Sequence, residues 1–348
     1  MHPVRVGTLR MRPGGVEVLD QRLRGTKFVS LAARSVLNSP EQTGMDFWSI
    51  NPYVGCEFGC TYCYARYAHR YVVERAHDGG QLSTEEFAEF RGPHGWEAFE
   101  QRIFVKRNVL AALDADLPRY FRSASTVPAP IVIGTATDPY QPAERRFRLT
   151  RAILERLVRY EALSIGIITK SPLVTRDLDV LARLDARSDL EVYVSLISTD
   201  AALVRKVEAR SPVPAARLRA LRKLADAGVN AGLIVAPVLP GISDDVAHLE
   251  ALFQAAREAG ARFVHAGPLR LYPGMRDRLL PVLEAQFPHL TDRYARAYAR
   301  HPSAPRDYAA ALKRRVQRLQ AKFGFPLNRG MEDRYQRRRP APQAELAL

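Results

Sequence analysis

The chain has 348 residues, 47% hydrophobic and 26% charged, with no low-complexity tract; this excludes a disordered or fibrous protein and suits one main domain with a sizeable core plus extensions. Its formal charge of +15 sits at the ends: residues 1–36 hold seven Lys/Arg against two acids and residues 292–339 fourteen against four, leaving a nearly neutral body. Such ends suggest DNA or RNA, held by counterion release, although a general bias toward arginine, with only seven Lys among the 52 cations, accounts for much of the same excess.

The opening "MHPVRVGTLRMRPGG" lacks the apolar stretch of a secretory leader, and no apolar run is long enough to span a bilayer, so a cytoplasmic protein is expected. From residue 47 short β-rich runs alternate with helical periodicity, the pattern of βα units around a parallel sheet. The predicted strands are 47–54, 102–106, 130–136, 163–169, 190–197, 230–238 and 261–267, short and rich in Val and Ile as strands buried on both faces should be. Among the helices between them, "SDDVAHLEALFQAAREAG" is the clearest, with Ser243 as the expected N-cap and Gly260 as the stop. The glycine-broken stretch 76–99 reads as an irregular insertion, and after 267 basic helices follow, among them 306–324, before a basic tail. The expected division is a basic N-terminal extension (1–44), a core (45–270) with an insertion near 76–127, and a basic helical C-terminal extension and tail (271–348).

All three cysteines, Cys56, Cys60 and Cys63, fall in "NPYVGCEFGCTYCYARY" at the spacing CxxxCxxC, directly after a predicted strand. In a reducing compartment such thiols read as metal ligands before they read as disulfides. Gly55 and Gly59 supply the backbone freedom to turn the sulfurs toward one centre. Structural zinc needs four closed ligands and would have to borrow His69 or a distant histidine. An iron-sulfur cluster held by three cysteines leaves one iron open to a small ligand, as catalytic metal sites do.

CxxxCxxC, with Tyr62 just before the last cysteine and a strand just ahead, resembles the radical S-adenosylmethionine (radical SAM) superfamily. The resemblance implies a 4Fe-4S cluster on Cys56, Cys60 and Cys63, S-adenosylmethionine (AdoMet) chelated at the open iron, and one-electron cleavage to a 5'-deoxyadenosyl radical. It also implies a low-potential electron donor of the flavodoxin or ferredoxin type. The fold it implies is an incomplete (βα)6 TIM-like barrel, which agrees with the strand count, with 102–106 as an extra strand; a basic, mainly helical extension follows it. Within the superfamily, "CEFGCTYCYARY", "TATDPYQPAE", "TKSPLVTRD" and "VSLISTD" look most like the branch containing spore photoproduct lyase and its uncharacterised relatives, over roughly residues 45–270.

A barrel carries its chemistry at the carboxyl ends of its strands. There Thr135, Thr137 and Asp138 could accept from the AdoMet ammonium, and Lys170 with Ser195 could donate to its carboxylate. The tyrosines matching the lyase motif are Tyr62, expected to face the adenine, and Tyr64, expected to relay a hydrogen atom; Tyr140 is a candidate for nucleotide contact at the mouth. The lyase also uses a cysteine near the end of its second strand, where this chain reads "GTATDPY" and has none. The expectation is therefore a lyase-like radical SAM enzyme acting on an unidentified substrate, a nucleic acid or nucleotide where the basic ends are binding surfaces. The alternative is a non-enzymatic iron-sulfur or zinc protein that binds nucleic acid.

Overall fold

The computed structural model describes residues 17–21, 25–91, 95–123 and 129–327. The start of the N-terminal extension and the basic tail from 328 onward lie outside the described residues. In chain order the strands are β1 (Val18–Gln21), β2 (Lys27–Leu31), β3 (Leu37–Asn38), β4 (Trp48–Ile50), β5 (Tyr53–Val54), β6 (Arg102–Lys106), β7 (Ile131–Ile133), β8 (Ser164–Thr169), β9 (Asp189–Ser195), β10 (Ala231–Val238) and β11 (Val264–Pro268).

They form two sheets, of order β11-β10-β9-β8-β7-β4-β3 and β1-β2-β6-β5. In the larger, every pairing from β4 to β11 is parallel, and β3 adds an antiparallel edge. Parallel neighbours need crossover connections, and the intervening helices cover the sheet, so Ile131, Val132, Ile133, Val192 and Leu233 are fully buried. The result is a mixed α/β architecture with all but one of its main-sheet strands in consecutive parallel order.

The predicted strand 47–54 divides between the sheets: β4 pairs with β7, and β5 pairs antiparallel with β6. The break falls at Asn51 and Pro52. Pro52 cannot donate to a ladder, while the Asn51 side chain donates to the Thr135 hydroxyl (3.1 Å) and accepts from the Ala136 amide (2.7 Å), tying the break to the end of β7. The strand predicted at 102–106 is β6, pairing parallel with β2, so residues 27–31 and the insertion share the smaller sheet.

Two local expectations need correction. Residues 76–99 are largely helical, in Arg66–Asp78, Thr84–Arg91 and Gly95–Gln101. The overlooked signal is the capping box Ser83–Glu86, in which each residue's side chain accepts from the other's amide (2.8 and 3.2 Å). The helix Val246–Glu258 is capped by Asp245, which accepts from the His248 amide (2.9 Å), whereas Ser243 is buried and accepts from the Leu239 amide (3.0 Å). The helix Arg306–Phe323 packs Leu312, Val316 and Leu319 onto the main core, as their shared face dictates, and ends at Gly324 (φ 68°).

Candidate active site

The cysteine loop leaves β5 through Gly55, whose φ of 89° is left-handed and where a Cβ would lie 2.7 Å from the Phe99 carbonyl oxygen. Glycine is required there on both counts. The loop is then held from both flanks: the Cys56 amide donates to the Phe99 carbonyl (3.0 Å), the Thr61 amide to Val207 (2.9 Å), and the Arg210 amide to Phe58 (3.0 Å). The backbone at Cys60 forms an antiparallel bridge with Glu208. At Gly59 (φ 66°) a Cβ would meet a Glu100 carboxylate oxygen at 2.9 Å.

All three thiols are free; Cys56 and Cys60 are buried and Cys63 half-buried. Burial pushes the Cys60 thiol up to about 12, against the pull of Lys170, and burial together with the Asp138 charge raises Cys56. Each of these two also feels the charge of Cys63. Among the described residues no group of three His, Cys, Asp or Glu side chains could hold a single metal ion. A cluster whose irons each take one thiolate needs no such group, and three free thiols on one loop are the right donors for it. Such binding must supply the free energy that drives off thiol protons burial would otherwise retain. His69, on which a zinc site would draw, is surrounded by the rings of Phe90, Phe99 and Phe104 at 5.4–5.9 Å, and burial holds its imidazole down to about 3.

Behind the loop lies a network of buried charge that sequence reading missed. The Tyr62 hydroxyl donates to Glu208, which also pairs with Arg217 and accepts from the Ser211 hydroxyl. Glu208 and Arg217 are both fully buried. Burial alone would raise the Glu208 carboxyl, but Arg217 and Lys170 outweigh it and hold it below the usual carboxylate range. Arg217 also donates to the Ser195 carbonyl (2.9 Å), so one guanidinium links the end of β9 to the tyrosine beside the cysteines. A second buried acid, Glu100, pairs with Arg66 and Arg210 and lies 3.7 Å from Arg278. The network's longest link, Tyr62 to Glu208, joins residues 146 positions apart, which leave no periodic trace in the sequence.

The strand-end residues converge on the same region. Lys170 lies over the Tyr62 ring, 5.6 Å from its centre. Asp138 accepts from the Thr169 hydroxyl (2.7 Å), the Lys170 amide (2.8 Å) and the Tyr140 amide (2.9 Å). Thr137 donates to the Gly55 carbonyl (2.6 Å) and accepts from Gln141 (2.9 Å), which itself reaches Gly55 (3.0 Å). Thr137 and Asp138 thus brace the loop and the neighbouring strand end. Ser195 is buried, while Thr135 lines a cavity of about 780 Å³ together with Ala136 and Tyr64. Tyr62 is buried and Tyr64 exposed. Tyr140 is fully buried in the main core, so it does not offer a ring at the mouth; the turn after Asp138 points it inward.

This fold is found in spore photoproduct lyase. One mutant of that enzyme superposes with a TM-score of 0.61 at 17% identity, covering 85% of this chain and 79% of the other. Another, with bound AdoMet and dinucleoside spore photoproduct, superposes with a TM-score of 0.59 at 16% identity over the same shares. The chain therefore shares the fold of that lyase. An uncharacterized protein of Mycobacterium tuberculosis is 33% identical over 321 residues, 92% of this chain and 86% of its own length, and the chain belongs to its family. An uncharacterized protein of Methanocaldococcus jannaschii is 26% identical over 218 residues, 63% of this chain and 70% of its own. No family model matches the chain. No helix among the described residues is long and apolar enough to cross a membrane.

Proposed function

We propose that this protein is a radical SAM enzyme, lyase-like in its use of AdoMet, with its main sheet serving as an incomplete barrel. The observation that carries the reading is the loop of three free thiols, braced on both flanks and facing the strand-end lysine, on a fold shared with spore photoproduct lyase. Cys56, Cys60 and Cys63 would hold a 4Fe-4S cluster, which supplies the electron that splits AdoMet to a 5'-deoxyadenosyl radical. Lys170 offers a cation, and Thr135 and Ser195 offer hydroxyls, for the amino-acid end of AdoMet. Asp138 adds negative charge beside Cys56 while anchoring the Lys170 backbone. Tyr62, held by Glu208, would face the adenine beside the cysteines, and Tyr64, exposed in the cavity, would carry a hydrogen atom toward a substrate.

The division at 44 and 270, a cytoplasmic location and a flavodoxin or ferredoxin as electron donor belong to the same reading. The substrate is read as a nucleic acid or nucleotide, supported by the basic ends and by the dinucleoside photoproduct held in the lyase structure. Anaerobic reconstitution with iron and sulfide, then AdoMet and a strong reductant, should yield 5'-deoxyadenosine by chromatography. Cys60→Ala should lose both the cluster absorbance and the product. A cluster that forms but never cleaves AdoMet would leave an iron-sulfur protein that binds nucleic acid without turning it over. Removing residues 325–348 should weaken DNA or RNA binding and flatten its salt dependence; unchanged affinity and slope would remove the basic tail from the interface.

A further inference from the structure

Tyr62, Lys170 and Ser195 come from three separate parts of the chain: the cysteine loop, the end of β8 and the end of β9. One buried ion pair ties them together. Glu208 closes the helix Ala201–Val207 and Arg217 lies in the helix Pro214–Asp226, so neither belongs to the loop or to a strand. The two oxygens of the Glu208 carboxylate are engaged separately: Oε1 accepts from the Tyr62 hydroxyl, and Oε2 from the Arg217 guanidinium and the Ser211 hydroxyl. Arg217 directs its other nitrogens to the carbonyls of Pro212 (2.8 Å) and Ser195 (2.9 Å).

Lys170 is placed differently. Asp138 fixes its amide (2.8 Å), and its ammonium lies 5.6 Å from the centre of the Tyr62 ring, close enough to be attracted by the negative face. That ammonium makes no hydrogen bond or ion pair among the described residues. Glu208, Arg217 and Lys170 are one carboxylate and two cations, and Glu208 is committed to Arg217 and Tyr62. The surplus cation is left for the anion of a ligand, and the ring beneath it helps set where it stands.

A buried carboxylate–guanidinium pair adds little stability over packed apolar groups of the same volume. Fixed geometry is what it supplies here, and groups that receive a ligand's charge need to be held within about 0.5 Å of their productive position. We propose that Glu208 and Arg217 are positioning residues for AdoMet: acting through the Tyr62 hydroxyl, they hold the ring that places the Lys170 ammonium for the AdoMet carboxylate. The inference rests on the radical SAM reading for the identity of the ligand. Both residues act at one remove from it, through Tyr62 and through the Ser195 backbone.

The test is a mutant cycle on the full-length chain, reconstituted anaerobically with iron and sulfide, in which isothermal calorimetry reads AdoMet affinity and bound iron and thermal unfolding are recorded beside it. Tyr62→Phe cuts the link at one atom and keeps the ring, while Glu208→Leu combined with Arg217→Met removes the anchor without stranding a buried charge. Each should keep the bound iron of the wild type and bind AdoMet about three- to tenfold more weakly. Lys170→Ala should weaken binding by about tenfold or more, as loss of a charge-assisted contact predicts. The deciding result is non-additivity. Adding Tyr62→Phe to the anchor variant, or to Lys170→Ala, should bring no further loss of affinity, because all these changes act at one point.

The proposal is overturned if either variant, once folded and loaded with iron, binds AdoMet as the wild type does, or if the losses add, which would show separate effects on packing. Should the anchor variant not fold, Tyr62→Phe with Lys170→Ala decides alone. A wild-type chain that assembles its cluster and does not bind AdoMet removes the radical SAM reading and the proposal with it. Wild-type binding with additive losses removes the proposal alone.

Discussion

The two sides of the cysteine loop follow opposite plans. On the inner side two buried acids are paired: Glu208 with Arg217, Tyr62 and Ser211, and Glu100 with Arg66 and Arg210. On the cavity side Lys106 is buried with one hydrogen bond among the described residues, to the Asn51 carbonyl, and Tyr64 and Tyr71 are exposed. The first arrangement fixes the loop before any ligand arrives, which is what preorganisation requires of the groups around a reactive centre. The second leaves a buried cation and exposed rings at the wall of a cavity.

The largest stability effect should come from breaking the locked side. Glu208→Ala leaves Arg217 fully buried without its partner and should cost about 3–5 kcal/mol in urea unfolding. The double variant Glu208→Leu, Arg217→Met should recover part of that loss, because it removes both charges; a double variant no more stable than Glu208→Ala would show that shape, not charge, holds the site. Next is Gly55→Ala, which places a Cβ 2.7 Å from the Phe99 oxygen at a left-handed φ and should cost about 1–3 kcal/mol.

His69 gives the locked side a pH signature. Its folded-state value near 3 lies below the unfolded value of 6.5, so between those values the unfolded chain binds the extra proton and stability falls as pH falls. The slope attributable to His69 should be about 1.4 kcal/mol per pH unit below roughly pH 6, and His69→Phe should remove that component. The smallest effect belongs to the open side. Tyr71→Ala, at an exposed ring, should change stability by no more than about 0.5 kcal/mol. A large loss there would mean the ring is structural and the contrast between the two sides is wrong.

Local pattern determined much of this protein. The strands β6, β8, β9 and β10 fall within one or two residues of their apolar runs, and the helix Arg306–Phe323 follows its own periodicity, because these elements are decided by neighbours a few positions away. The cysteine spacing and its glycines were equally legible, since one loop contains them all. Tertiary structure decided the rest. It divided 47–54 between two sheets at Asn51, turned Tyr140 into the core, joined Tyr62 to Glu208 across 146 positions, and enclosed Lys106 beside a cavity. Each of these depends on which distant surfaces meet, and a buried charge acquires its meaning only from what the fold places against it.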